Sequence, residues 1–205
     1  MSSDHDIKTL DQLDALYAPV NPVAILKEIG QIIPEYARFI EAAPFVVIST
    51  AGPEGLDCSP RGDPAGFVRI LDDKTLLIPD RRGNNRVDTL RNLVQDPRIA
   101  LLFMIPGIGN TMRVNGRARI TADPELCASF AMRGNPATSV IVVTVDSIYP
   151  QCPKALVRSR LWNPDVQIPR SALPSTGEMM KAIDPSFDAE TYESEYPARL
   201  EKTIY

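Results

Sequence analysis

LLIPDRRGNNRVDTLRNL, Leu76 to Leu93, changes its hydrophobic period part-way along. Leu76, Leu77 and Ile78 form a short apolar run closed by Pro79, which reads as a strand. From Asn85 onward the period is helical, with Val87, Leu90, Leu93 and Val94 on one stripe. Between the two lie Arg81, Arg82, Gly83, Asn84, Asn85 and Arg86. A helix start exposes unpaired N–H groups and carries a partial positive charge, so arginines placed there make an anion seat. Guanidinium forks match phosphate oxygens, and Gly83 permits backbone angles that other residues resist. The same residues also read as a solvated turn, with Asp80 or Asp88 as counter-charges, and spacing alone leaves both readings open. The turn is not a Walker loop, which needs GxxxxGK[ST]. Nor is there a GxGxxG, since Gly107 and Gly109 in GIGN lack the third glycine and read as a hairpin turn.

Working outward, Leu10, Leu13, Leu16 and Tyr17 repeat at helical spacing. Pro22 is placed to open a helix through VAILKEIGQII, and Pro34 another through EYARFIEA. FVVIST (Phe45 to Thr50) is a β-rich run ending in the turn AGPEG. GFVRILDD, RIALLFMI (Arg98 to Ile105) and the alternating TMRVNGRARIT (Thr111 to Thr121) are further strands, and SVIVVTVDSIYP (Ser139 to Pro150) is the clearest of all. ADPELCASFAM reads as a helix capped by Asp123, CPKALVRSRLW as a helix with an early proline, and STGE at Ser175 as a capping box. About six strands joined by hairpin-like turns, with thin helical content, favour a mainly β antiparallel barrel over a doubly wound sheet.

The composition is that of a globular chain: 205 residues, 44% hydrophobic and 23% charged. A net charge of −4 argues against a nucleic-acid protein, because phosphate backbones require a broad basic surface. The start, MSSDHDIKTLDQLDAL, is acidic and polar, unlike a signal peptide, and no apolar run approaches a membrane span. Cys58, Cys127 and Cys152 are odd in number and widely spaced. Free thiols and no membrane contact make the cytoplasm the expected compartment. The single histidine, His5, leaves no Ser-His-Asp triad and no Cys/His metal site. If the chain is an enzyme, its chemistry belongs to a bound cofactor, and no side chain stands out as a catalytic acid or base.

Two further sets of residues are candidates. Arg61, in SPRGD, reads either as a ligand contact or as a turn arginine paired to Asp63. Lys154, Arg158 and Trp162 are spaced four apart on the predicted helix, so they share a face. That face would line a planar charged ligand, or it is a solvated face with Trp162 in the core.

Taken in order, FVVIST, DCSPRGD, LLIPDRRGNNRVDTLRNL, DPRIALLFMIPG, TMRVNGRARIT and CPKALVRSRLW resemble the pyridoxamine 5'-phosphate oxidase-like flavoproteins, the FMN-binding split β-barrel family. The nearest likeness is to a bacterial FMN-dependent subfamily. The resemblance implies an N-terminal helical arm (1–43), a flavin-binding split barrel (44–163) and a C-terminal extension (164–205) packing on the barrel or on a partner subunit. It also implies a homodimer with FMN between the subunits. Arg61 and the Asn85–Arg86 pair would grip the phosphate. Thr111 falls where the oxidases carry a glutamine near the isoalloxazine, and the segment with Lys154, Arg158 and Trp162 would close the site from the partner. The implied activity is oxidoreduction of a small molecule, with NAD(P)H a candidate donor. A flavin-storage protein and a deazaflavin-linked reductase on the same barrel are the alternatives. The tail NPDVQIPRSALPSTGEMMKAIDP lacks the RxxP and Trp/Arg-rich stretch of the vitamin B6 oxidases, which places pyridoxamine phosphate in doubt as substrate.

Overall fold

A computed structural model describes residues 5–205; Met1 to Asp4, the polar start of the predicted arm, lie outside the described residues. Seven strands form one antiparallel sheet in the order β2-β1-β5-β6-β7-β4-β3. They are β1 (Phe45–Gly52), β2 (Gly55–Gly62), β3 (Arg69–Asp72), β4 (Thr75–Asp80), β5 (Arg98–Met104), β6 (Thr111–Thr121) and β7 (Ser139–Gln151). The architecture is mainly β with peripheral helices, a split barrel.

β7 explains the long apolar run in the sequence. Residues 139–143 are buried on both faces of the sheet. Ile141 and Val143 point into the main core with Val46, Ile48, Leu76, Ile78, Phe103 and Met112. Val140 and Val142 pack on the other side with Leu77, Cys127, Phe130 and Ala137, beneath helix α5 (Pro124–Ser129). A strand covered on both faces loses its polar alternation, and β-branched residues suit that setting. β6 and β7 are kept in register past a bulge at Asn115/Gly116. A Cβ on Gly116 would stand 2.1 Å from the Thr144 carbonyl oxygen, so only glycine allows that approach.

Several expectations are corrected. LDCSPRGD, which carries no clear strand signal, is strand β2 and pairs along its whole length with β1. The helix expected through VAILKEIGQII stops at Leu26, giving α2 (Pro22–Leu26). Ile29 instead forms an antiparallel bridge to Ile148, donating at 3.1 Å and accepting at 2.8 Å, and Ile32 is buried. Pairing with the barrel satisfies these backbone groups, buries Ile32 and partly buries Ile29, which outweighs a helix that would leave them in solvent. Before it, α1 (Leu10–Asp14) buries no side chain, whereas α3 (Pro34–Ala42) sets Ile40 into the core.

CPKALVRSRLW is also shorter as a helix than its pattern: α6 spans Lys154–Ser159 and ends at Arg160 in the left-handed conformation (φ 55°). Trp162 therefore does not share a helix face with Lys154 and Arg158. The tail forms two helices, α7 (Thr176–Ile183), which carries the expected Ser175/Glu178 capping box, and α8 (Ala189–Thr203), packed on each other. Among the described residues no helix is long and apolar enough to cross a membrane.

Candidate functional site

The basic turn leaves the barrel at Asp80, where β4 ends, and enters α4 (Asp88–Gln95). No side chain caps the amino end of α4. Gly83 does not take the left-handed conformation; Asn85 does, at φ 62°. Asparagine tolerates that region better than other non-glycine residues, so the turn's tight point sits two residues later than the glycine suggests. Asn84 Oδ1 accepts from the Arg86 N–H at 3.0 Å and stabilises the bend.

This turn and the end of β2 enclose a cavity of about 500 Å³. Its walls include Arg61, Asp80, Arg81, Arg82, Asn85 and Arg86, with Phe67 and Leu90 as apolar surface. Four arginines against the carboxylates Asp63 and Asp80 leave the walls net positive, on a chain of net charge −4. The arginines are not equivalent. Arg81 donates from Nε to Asp63 Oδ2 at 2.8 Å, so the pairing of Asp63 with Arg61 suggested by SPRGD does not form. Arg86 donates to Asp88 at 2.6 Å and is largely exposed. Arg61 stands 3.8 Å from Asp80, too far for a hydrogen bond, and is mostly buried.

A polar network behind Arg61 orients it. Arg61 Nη2 donates to Thr89 Oγ1 at 3.4 Å, and Nη1 to the Pro60 carbonyl at 3.0 Å. Thr89 Oγ1 donates to Asp57, which also accepts from Ser59 Oγ at 3.0 Å. Asp57, Ser59 and Arg61 alternate along β2 and therefore share its face, opposite Thr50, Ile48 and Val46 of β1. Asp57 and Thr89 escape a sequence reading that leaves β2 unassigned; the D-x-S-x-R alternation is the signal that locates the first. Burial pushes the Asp80 carboxyl above the usual carboxylate range, and the nearby Arg61 pulls it partly back. Beside Asp80, across the β4–β7 pairing, lies Ser139, whose hydroxyl is buried without a hydrogen-bond partner. The Arg86 guanidinium is pushed further up by Asp88.

The other predicted residues lie elsewhere. Thr111 begins β6 opposite Gln151, at the far end of β7 from Ser139 and Asp80. The Trp162 indole donates to the Ile108 carbonyl at 2.9 Å, and Pro153 packs against Gly109, so the segment after β7 leans on the loop before Thr111. Lys154 and Arg158 are exposed beside it. Within one chain, then, Arg61, Asn85 and Arg86 come together, while Thr111, Lys154, Arg158 and Trp162 belong to a second region. Arg61, Val46, Phe103 and Met112 lie in one row across β2, β1, β5 and β6, so Thr111 stands about three strand spacings, roughly 15 Å, from Arg61 across the sheet. Among the described residues no group of His, Cys, Asp and Glu is arranged to hold a metal ion.

Comparison with known proteins places this geometry in a family. The family model described as pyridoxamine 5'-phosphate oxidase matches residues 32–152. The chain belongs to the pyridoxamine 5'-phosphate oxidase family. The match spans the barrel with Arg61, Asn85, Arg86 and Thr111, and stops before Lys154, Arg158, Trp162 and the tail. Among solved structures, HupZ of Group A Streptococcus is 20% identical with a TM-score of 0.50, covering 59% of this chain and 94% of its own. An F420 reductase is 17% identical with a TM-score of 0.45, covering 57% of this chain and 98% of its own. General stress protein 26 of Bacillus anthracis is 17% identical with a TM-score of 0.43, covering 55% and 88%. At such identities the likeness is one of fold. No curated protein matches the chain in sequence.

Proposed function

We propose that this protein is an FMN-dependent oxidoreductase acting on a small molecule. The observation that carries the reading is the net-positive cavity at the β4–α4 junction, in a chain of the pyridoxamine 5'-phosphate oxidase family. The donor set suits a phosphate monoester: a mostly buried guanidinium that no carboxylate hydrogen-bonds, an uncapped helix start and a left-handed asparagine turn.

Arg61 would hold the phosphate, oriented by Thr89 and Asp57, and Asn85 and Arg86 would close on it from the turn. Bound FMN supplies hydride and electron transfer through its ring. The residues of this chain bind and orient it, and Phe67 and Leu90 keep water from the cavity's apolar side. The second region, with Thr111, Lys154, Arg158 and Trp162, contributes no residue to the wall of the cavity that holds Arg61 in the same chain. A twofold homodimer in which one copy brings that region over the other's phosphate seat accounts for both sets in one site.

The test is the absorbance spectrum of the purified protein, with mass identification of whatever denaturation releases. FMN is expected; a deazaflavin, haem or nothing would refute the assignment. Anaerobic mixing with NADH or NADPH, followed near 450 nm, then identifies the donor by bleaching of the bound flavin.

A further inference from the structure

The tail returns to the cavity at its last two residues. Ile204 and Tyr205 stand in the wall of the 500 Å³ cavity, although they are far in sequence from the turn that forms it. The Tyr205 phenol donates to Asp63 Oδ1 at 2.7 Å, and the other oxygen of that carboxylate accepts from Arg81 Nε at 2.8 Å. Asp63 is almost wholly buried, so Tyr205 docks on an ion pair already in place. The guanidinium groups of Arg133 and Arg81 lie 5.2 and 5.9 Å from the ring centre, within cation–π range. Tyr205 also walls a neighbouring cavity of about 220 Å³, which shares Arg81, Arg82 and Thr138 with the first. The tyrosine thus lines both spaces.

The attachment is narrow. No residue of α8 is buried. Among the described residues the Tyr205–Asp63 contact is the one hydrogen bond tying residues 170–205 to the barrel. An element held by so few buried contacts opens at low free energy without unfolding the core. The hydrogen bond to Asp63 holds the phenol above the ordinary tyrosine range, so the contact persists through neutral and mildly alkaline pH.

We propose that Tyr205 is a latch on the cofactor pocket: docked on the Arg81–Asp63 pair it closes the pocket's mouth, and it swings out for flavin to enter or leave. This rests on the flavin reading of the same cavity. A latch has a kinetic signature that a simple contact lacks. When entry and exit pass through one open state, weakening the latch raises the association and dissociation rates by similar factors, leaving the equilibrium constant little changed. A residue that only touches bound flavin alters the dissociation rate alone.

The test compares the full chain with Tyr205→Phe, which keeps the ring and removes the hydrogen bond, and with Tyr205→Ala. FMN binding and release are followed by stopped-flow fluorescence, and hydrogen exchange is measured over residues 189–205. A hydrogen bond to a buried carboxylate corresponds to roughly tenfold in the opening equilibrium, so both rates should rise about tenfold in Tyr205→Phe and further in Tyr205→Ala. Exchange over the tail should accelerate in parallel in the flavin-free protein. A rise in dissociation alone, or no change in either rate, would overturn the latch. If no flavin binds to any form, the cofactor reading fails separately, and the exchange data decide the latch: tail protection equal in all three forms overturns it.

Discussion

Arg61→Ala is the sharpest probe of the phosphate seat. Of the arginines in the cavity wall, Arg81 is engaged by Asp63 at 2.8 Å and Arg86 by Asp88 at 2.6 Å. Arg61 is 3.8 Å from Asp80, and its side chain is 24% exposed against 79% for Arg86. A phosphate arriving at Arg61 therefore meets a partly desolvated cation with hydrogen-bonding capacity to spare, already oriented by Thr89. A charge-assisted hydrogen bond in such a setting contributes roughly 1.5–3 kcal/mol, or about tenfold to a hundredfold in affinity. At Arg86 the guanidinium must leave Asp88 and is screened by water, so its contribution falls well below that of Arg61. Apo forms of Arg61→Ala and Arg86→Ala would be titrated with FMN and with riboflavin by flavin fluorescence. Arg61→Ala should weaken FMN by the larger factor and leave riboflavin nearly unchanged. Equal losses for the two ligands, or a greater loss in Arg86→Ala, would refute the assignment of Arg61 to the phosphate.

The remaining predictions concern assembly, pH, substrate and the barrel itself. Light scattering should give about twice the chain mass of 22.6 kDa, and a monomer that still binds FMN tightly would refute the shared site. Asp80 has a folded-state pKa raised by burial, so the folded protein holds that proton more tightly than the unfolded chain. Stability should therefore decline as pH rises from the ordinary carboxylate value through the raised one. Asp80→Asn should remove this component from the pH dependence of the melting temperature and tighten FMN at neutral pH; an unchanged profile would show that Asp80 does not titrate there. Pyridoxamine phosphate should be turned over poorly by the FMN-loaded protein, and oxidation near one per second would refute this. Gly116→Ala places a methyl against the Thr144 carbonyl and should lower stability by about 1–3 kcal/mol or more in urea unfolding; an unshifted midpoint would mean the bulge relaxes freely.

The parts of this protein legible in its sequence are those whose cause is local. The change of period after Pro79, the doubly buried run of β7, the Asp123 and Ser175 caps and the early prolines follow from side-chain periodicity and turn chemistry within a few residues. The order of those pieces also carries the family. What the chain does not announce locally depends on strand pairing. LDCSPRGD contains proline and glycine and little β-branching, yet β1 supplies its hydrogen-bond partners and makes it β2, which puts Asp57, Ser59 and Arg61 on one face. The same pairing leaves Arg61 beside Asp80 rather than Asp63, and gives Asp63 to Arg81. Ile29 leaves its helix because Ile148 offers a backbone partner and burial together. Tyr205 reaches Asp63 across 142 residues of sequence, a contact without a periodic signature. Local propensity decides most of the strands and helices, whereas the charge pairing at the site is decided by which faces the split barrel brings together, because ion pairs and hydrogen bonds act over a few ångströms of space and are indifferent to distance along the chain.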